Sequence, residues 1–297
     1  MSLEQRETVK QILRDSPFDL GGEVSLQRPL FEQMLTSQPL PGDVITTPDT
    51  LGGVPVVHVD IAGARADGVV LHLHGGGYAV GSARASASLA AQIARRSGTR
   101  VVAVDYRLAP EDPFPAALDD ALAAYRALLE SGAAASEVAI AGESAGGGLA
   151  VALLAEIEAA GLPRPCCAAV FSPWADLTVT GDSYTSKAEV DPSVTACALR
   201  TRARDYAAGT GLNDPRLSPV HADLTGLPPL LVQAGSHEVL LDDALRLAAR
   251  AAADDVAVTL EITPGVPHVF QAFAVVLDEA GAALDRASAF LRAHLRP

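Results

Sequence analysis

A serine between small residues is the first candidate for chemistry in this chain. Ser144 lies in a Gly-Glu-Ser-Ala-Gly run at 142–146, between the apolar residues 138–141 and an Ala- and Leu-rich stretch that predicts a helix. On a sharp strand-to-helix turn, glycines two positions to either side prevent a collision of Cβ atoms. The hydroxyl then projects as a candidate nucleophile, and the Ala145 amide points to where an oxyanion would form. A phosphate-binding turn is the alternative.

A nucleophilic serine needs an orienting acid, and α/β enzymes of this type place it after the serine and before the histidine. Glu238 meets this order, because it follows the apolar residues 230–233 in a loop that leads into a helix. An ordinary helix first-turn acid is the alternative for Glu238. Asp242 and Asp243 lie further along, and we expect them to point away from the site or to cap the helix.

The candidate base is His268, which follows the apolar residues 256–262 in a stretch with two prolines that reads as a rigid loop. A histidine there is well placed to take the proton from Ser144. His237, next to Glu238, is the alternative base. The predicted catalytic triad is therefore Ser144, Glu238 and His268.

Three consecutive glycines after the apolar residues 69–73 are candidates for binding the oxyanion. Glycine lets the main chain approach a substrate oxygen, so amides from 75–77 could act together with that of Ala145. A phosphate-binding loop is one alternative, but no Lys-Ser/Thr pair follows the glycines. A metal site with His72 and His74 is another, but no third ligand stands nearby in the sequence. We expect no metal.

These residues require a sheet that brings distant strand ends together. From residue 68 onward, strand-like and helix-like stretches alternate, which predicts an α/β fold with a mostly parallel sheet and helices on both faces. The predicted strands number about eight: 44–47, 54–61, 69–73, 101–104, 138–141, 165–171, 230–233 and 256–262. The predicted helices of this part are 86–96, 116–129, the one that starts at Ser144, and 281–294.

Two regions do not fit the alternation. The first part of the chain carries two helix-like patterns, and residues 172–219 hold a helix-like run within an insertion too long for an ordinary loop. We expect a helical cap from about 1–42 and about 176–215 over the carboxyl end of the sheet, where ligands bind in open α/β folds. The whole chain, 1–297, is predicted to be one domain.

Composition excludes some classes of function. The 297 residues are 49% apolar, carry a formal net charge of −14 and include only two lysines, so no basic surface for nucleic acid is expected. The N-terminus lacks the pattern of a secretory signal, and no apolar run reaches the ~20 residues of a membrane span. We therefore expect a cytoplasmic protein without a membrane partner. The three cysteines are better explained as buried apolar residues than as a disulfide or metal site.

Several motifs in order resemble those of the bacterial hormone-sensitive-lipase-like esterases, which are α/β-hydrolases. The resemblance extends from Pro55 to Phe290, and its motifs are His74-Gly75-Gly76-Gly77, Asp105-Tyr106-Arg107-Leu108-Ala109-Pro110-Glu111, Gly142-Glu143-Ser144-Ala145-Gly146-Gly147, Ser172-Pro173-Trp174 and Pro267-His268. It implies an α/β-hydrolase fold and an ester hydrolase for short to medium acyl chains that works through an acyl-enzyme without a cofactor.

The resemblance also implies roles for individual residues. Ser144 would be the nucleophile and His268 the base. The oxyanion donors would be Gly76, Gly77 and Ala145, with Gly75 as a further candidate, and the aromatic residues expected to contact substrate are Tyr78 and Trp174.

One departure concerns the acid, because this chain has Glu238 where the family usually has Asp. Some family members that resemble lactone hydrolases and heroin-type esterases carry this variant, which favours small alkyl esters or lactones. Acyl transfer and deacylation of one secondary metabolite remain alternatives. A binding protein like the esterase-related plant hormone receptors is disfavoured, since those lack the histidine that this chain keeps at 268.

Pairing into a homodimer is compatible with the sequence but not required by it.

Overall fold

The computed structural model describes residues 2–37, 39–64 and 66–295. Its eight strands, as predicted, form one sheet: β1 (Val44–Leu51), β2 (Val54–Ile61), β3 (Val69–Leu73), β4 (Arg100–Val104), β5 (Val138–Glu143), β6 (Cys167–Phe171), β7 (Leu230–His237) and β8 (Val258–Pro267). The spatial order is β1-β2-β4-β3-β5-β6-β7-β8. Strand β2 runs antiparallel to β1 and β4, and all other pairs are parallel.

The central strands are apolar on both faces because helices cover both faces. The helices are α1 (Ser2–Arg14), α2 (Val24–Leu35), α3 (Ala87–Ser97), α4 (Ala116–Glu130), α5 (Ala145–Ala159), α6 (Ser183–Ser186), α7 (Ala196–Ala207), α8 (Leu241–Ala253) and α9 (Asp278–His294). Side chains alternate across β3, so that Leu71 belongs to the core that includes residues of α4, α5 and α8, whereas Val70 belongs to the core with α3 and α9. The α/β architecture expected from the sequence is therefore the observed one.

Three strands continue four or more residues beyond their predicted ends. Strand β1 continues to Leu51 through Pro48, which is tolerated because β1 lies at the edge of the sheet. Strand β7 continues to His237, and β8 continues to Pro267 along it, with a bulge between Gly235 and His237. The stretch before His268, which we expected to be a loop, is therefore paired strand. Backbone pairing at an edge continues beyond the apolar run that marks the strand in the sequence.

The insertion between β6 and β7 is tied to the first turn of α8. Asp243 is fully buried and accepts the N–H groups of Ala175 and Asp176 at 2.9 and 2.8 Å, and the Tyr184 hydroxyl at 2.7 Å. Asp242 accepts the N–H of Ser183 at 2.8 Å. The two acidic side chains, which we expected to point away or to cap α8, instead hold the insertion in place.

The N-terminal segment lies outside the two helical layers. Helix α1 packs on α9 and β8, where Arg6 pairs with Glu279. The turn after α1 contacts α7, because a Cβ added to Gly21 would lie 3.1 Å from Ala198 Cα. Exposed Cys197, also on α7, contradicts the expectation that all three cysteines are buried. Within the described ranges, no helix is both long and apolar enough to cross a bilayer.

Candidate active site

Ser144 occupies a strained turn between β5 and α5. Its backbone adopts φ 55° and ψ −122°, and its N–H donates to Phe171 O at 2.9 Å. A Cβ at Gly142 would lie 2.2 Å from Gly146 O, and a Cβ at Gly146 would lie 2.0 Å from Leu73 O. Only glycine fits at either position, since strand, turn and helix approach at backbone distance. The serine side chain keeps partial solvent access.

The ends of β7 and β8 bring the predicted acid and base to this turn. His268 Nε2 lies 2.9 Å from Ser144 Oγ, and His268 Nδ1 lies 2.6 Å from Glu238 Oε2. The three side chains, which are far apart in the sequence, thus form one continuous chain of hydrogen bonds. In this arrangement Nδ1 carries a proton toward the carboxylate and Nε2 is left to accept one from the serine.

The Glu238 carboxylate is fully buried and fully hydrogen-bonded. Its Oε1 accepts the N–H of Gly235 at 2.8 Å and the hydroxyl of Ser172 at 3.1 Å. The Ser172 oxygen in turn accepts the N–H of Val269 at 3.0 Å. Ser172 therefore links the acid to the residue after the base, a role that its place in a Ser-Pro-Trp motif did not indicate.

Two opposing effects act on the pKa of His268. Burial disfavours its charged form, but the hydrogen bond and the negative charge of Glu238 outweigh burial, so the pKa of His268 is raised above its ordinary value. Asp191 and Glu143 add smaller contributions in the same direction. A base with a raised pKa is suited to take up a proton during a reaction.

Three amides around Ser144 are available for an oxyanion. Those of Gly76, Gly77 and Ala145 donate no hydrogen bond within the described part of the chain. A Cβ at Gly76, where φ is 120°, would lie 2.1 Å from Val80 O, so this position requires glycine. The Gly75 amide differs, because it donates to Glu143 Oε1 at 2.8 Å and is not free for a substrate. Gly75 is therefore removed from the predicted donors.

The structure places Tyr78 and Trp174 in the interior rather than at an open surface. Tyr78 is 2% exposed and stacks on Tyr206 of α7 at a centroid distance of 3.8 Å. Trp174 is fully buried, and its Nε1 donates to Asp176 O at 3.2 Å. The expectation that both contact substrate has no support in these contacts, which instead join the loop after β3 to α7.

The structure also shows where the alternative base, His237, and the alternative metal ligands, His72 and His74, lie. His237 makes no hydrogen bond to Ser144, and burial lowers its pKa. His72 faces Glu143, and the Nδ1 of His74 lies 2.7 Å from Gly75 O. Among the described residues, no three His, Cys, Asp or Glu side chains are grouped so that they could hold a metal.

Comparison with known proteins agrees with this geometry. A family profile described as the alpha/beta hydrolase fold matches residues 70–272. The crystal structure of an esterase from the bacterial hormone-sensitive lipase family superposes with a TM-score of 0.96 at 43% identity, over 99% of both chains. The protein belongs to this family. Its hormone-sensitive-lipase-like fold extends over the full described chain, including the N-terminal segment and the insertion.

Curated relatives of this hormone-sensitive-lipase-like protein are ester hydrolases. An acetyl-hydrolase of Streptomyces hygroscopicus is 41% identical over 300 residues, which cover 98% of this chain and 97% of the relative. An esterase of Acinetobacter venetianus is 35% identical over 270 residues, which cover 91% of this chain and 89% of the relative. With its family membership, these relatives make the protein a serine ester hydrolase of the carboxylesterase type.

Proposed function

We propose that this carboxylesterase hydrolyses small esters of short acyl chains, with Ser144 as nucleophile, His268 as base and Glu238 as orienting acid. The observation that carries the proposal is the unbroken hydrogen-bond chain from Ser144 through His268 to buried Glu238. Glutamate fills the acid's place because Gly235 and Ser172 both donate to the oxygen that does not face the imidazole.

In the acylation step, His268 Nε2 takes the proton of Ser144 Oγ as that oxygen bonds to the ester carbonyl carbon. The carbonyl oxygen becomes an oxyanion that accepts the amides of Gly76, Gly77 and Ala145. His268 then gives the proton to the departing alkoxide, and the acyl-enzyme remains. Glu238 stabilises the imidazolium by a charge-assisted hydrogen bond.

In the deacylation step, water takes the place of the alcohol. His268 removes a proton from that water as its oxygen bonds to the acyl carbon, and the same three amides hold the second oxyanion. The proton returns to Ser144 Oγ as the acid leaves, which restores the resting state. The protein needs no cofactor in either step.

Packing around Gly77 supports short acyl chains. A Cβ at this position would lie 3.0 Å from Arg202 Cγ and 3.1 Å from Leu20 Cδ1, so side chains from α7 and from the N-terminal segment lie directly against the oxyanion loop. We infer that this packing limits the space beside a bound carbonyl. One relative, 41% identical over almost its whole length, is named an acetyl-hydrolase, which agrees with a small acyl group.

The test is an activity profile over p-nitrophenyl esters from acetyl to octanoyl, together with γ- and δ-lactones. We expect kcat/KM to be greatest for acetyl to butyryl and to fall at least tenfold by octanoyl. The Ser144→Ala variant must remain folded and lose turnover of every substrate. Equal activity on octanoyl esters would overturn the acyl-length proposal, and turnover by Ser144→Ala would overturn the nucleophile.

The last points concern the cap, the oligomeric state, the location and the partners of the protein. We propose that residues from about 1–42 and about 176–215 together form the cap, since Gly21 and Leu20 meet α7 above the oxyanion loop. Dimerisation, cytoplasmic location and the lack of nucleic-acid or membrane partners stay predictions. Lactones belong in the same substrate panel because acyl transfer from a cyclic ester to Ser144 uses the same groups.

A further inference from the structure

Glu143, next to the nucleophile, has no part in the triad or in the three free amides. It is the last residue of β5 and is 8% exposed. One oxygen accepts the N–H of Gly75 at 2.8 Å, and the other lies 2.8 Å from Nε2 of fully buried His72 on β3. A negative carboxylate next to the nucleophile disfavours a developing oxyanion by charge, so Glu143 must have a role other than electrostatic stabilisation.

The peptide group between His74 and Gly75 is held at both ends. Its N–H donates to Glu143, and its carbonyl oxygen accepts the hydroxyl of Tyr106 at 2.5 Å. A trans peptide is planar and points its C=O and N–H in opposite directions, so two such bonds fix the orientation of the plane. Burial raises the pKa of Tyr106 well above its ordinary value, which keeps the hydroxyl proton in place as donor.

The next peptide group, between Gly75 and Gly76, is held by its carbonyl. Gly75 O lies 2.7 Å from Nδ1 of His74. Burial lowers the pKa of His74, so the neutral ring carries its proton on Nδ1 and donates it to this oxygen. Because the peptide is trans, the N–H of Gly76 points the opposite way. That N–H is one of the three amides left free for the substrate.

We propose that Glu143 and Tyr106 are positioning residues of the oxyanion hole, which clamp the 74–75 peptide and thereby aim the Gly76 amide at the substrate oxygen. The clamp acts through the main chain, and neither side chain touches substrate. It rests on the proposed role of Gly76 as a donor. Three flexible glycines in a row would otherwise leave the direction of that amide open. Loss of the clamp should lower transition-state binding and leave ester binding unchanged.

Tyr106→Phe and Tyr125→Phe form a matched pair for the test. Tyr125 is equally buried, and its hydroxyl donates to Pro163 O at 2.6 Å. Pro163 follows the C-terminus of α5, whose N-terminus carries the nucleophile, so it lies about 20 Å from Ser144 by helix length. Each variant deletes one hydroxyl-to-carbonyl hydrogen bond, buried for Tyr106 and part-buried for Tyr125, but only Tyr106→Phe loosens the clamp.

Complete removal of one oxyanion donor costs about 10²- to 10³-fold in kcat, and a misaimed donor should cost less. We expect Tyr106→Phe to lower kcat for p-nitrophenyl acetate about tenfold with KM unchanged. It should weaken the inhibition constant of a trifluoromethyl ketone, whose adduct carries an oxyanion, by the same factor. Tyr125→Phe should change Tm but neither kcat nor the inhibition constant. Equal kcat losses in the two variants, or no loss in Tyr106→Phe, would overturn the proposal.

Substitution of Glu143 gives an independent readout. Glu143→Gln keeps an acceptor for the Gly75 N–H and should retain at least about a third of kcat, whereas Glu143→Ala should lose about 30-fold, less than removal of a donor would cost. Equal activity of the two folded variants would contradict the clamp; if Glu143→Ala does not fold, the tyrosine pair decides. Ser144→Ala tests the proposed function separately, because wild-type turnover must depend on Ser144 whatever the clamp variants show.

Discussion

Replacing Glu238 with Gln should impose the wrong tautomer on His268, the proposed base. Gly235 N–H and Ser172 Oγ–H both donate to Oε1, so the amide oxygen of Gln must occupy that place. Its NH₂ group then faces Nδ1 of His268, across the 2.6 Å now bridged by a carboxylate. Nδ1 must give up its proton to accept, and Nε2 becomes protonated. A protonated Nε2 takes no proton from Ser144.

The expected loss in kcat is roughly 10⁴-fold, the size that a wrong imidazole tautomer costs such a triad. That factor corresponds to about 5 kcal/mol in the activation free energy. The assay is hydrolysis of p-nitrophenyl acetate at pH 8, with Tm measured to show that the variant is folded.

Asp242→Asn is the matched control. Asp242 accepts the N–H of Ser183, and an asparagine oxygen can keep that bond, so kcat should stay within about threefold. The reasoning would be refuted if Glu238→Gln kept a tenth of wild-type kcat, or if Asp242→Asn lost as much as Glu238→Gln.

Three further predictions concern the supports of the site. Ser172→Ala and Ser172→Gly should both lower kcat about tenfold, because each removes a hydrogen bond to the Glu238 carboxylate. Glycine suits the positive φ of 46° at this position, so a loss seen only in Ser172→Ala would point to backbone strain instead. The raised pKa of His268 keeps the ring protonated to higher pH, so kcat/KM should decrease toward acid pH, with an apparent pKa higher than the ordinary 6.5 of histidine. Glu238→Gln should shift this acidic limb of the pH profile to lower pH, and an unshifted limb would contradict the pairing of the two side chains. Burial raises the pKa of Asp243 from 3.8 to about 8, so unfolding releases a proton between these values, and stability declines as pH rises through that window. The free energy of unfolding of Asp243→Asn minus that of the wild type should therefore increase by about 1.4 kcal/mol per pH unit from pH 5 to 7. A difference that stays constant with pH in urea titrations would refute the buried neutral acid.

The sequence predicted that the side chains of Ser144, Glu238 and His268 would come together, because their order and the strand ends carry strong signals. Ser144, Glu238 and His268 each follow a buried apolar run, and parallel strands end at one edge of the sheet, so the three positions converge even though the predicted ends of β7 and β8 were several residues short. Strand ends were missed because edge pairing depends on backbone hydrogen bonds rather than on apolar side chains.

The supports of the site were missed because they join residues far apart in the chain. Ser172 and Glu238 are 66 positions apart, and Glu143 and Gly75 are 68 apart. Nothing in three consecutive glycines distinguishes Gly75 from its neighbours, since the orientation of each peptide is decided by side chains from other strands.

The packing of the aromatic residues beside the motifs could not be predicted from the sequence. Tyr78 and Trp174 adjoin the oxyanion loop and the end of β6, which suggested contact with substrate. Tyr206 on α7 covers Tyr78, and the insertion closes over Trp174. Which face of an aromatic side chain stays open depends on the packing of the insertion, and local sequence does not record that packing.

The most direct test of the central claim is to identify the residue that becomes acylated. The enzyme is incubated with a fluorophosphonate, which forms a stable phosphonyl-enzyme with a nucleophilic serine, and its intact mass and peptides are measured. We expect one adduct per chain on Ser144, with none in Ser144→Ala and slow formation in Glu238→Gln. An adduct on another residue, or an unmodified wild-type enzyme that still hydrolyses p-nitrophenyl acetate, would contradict it.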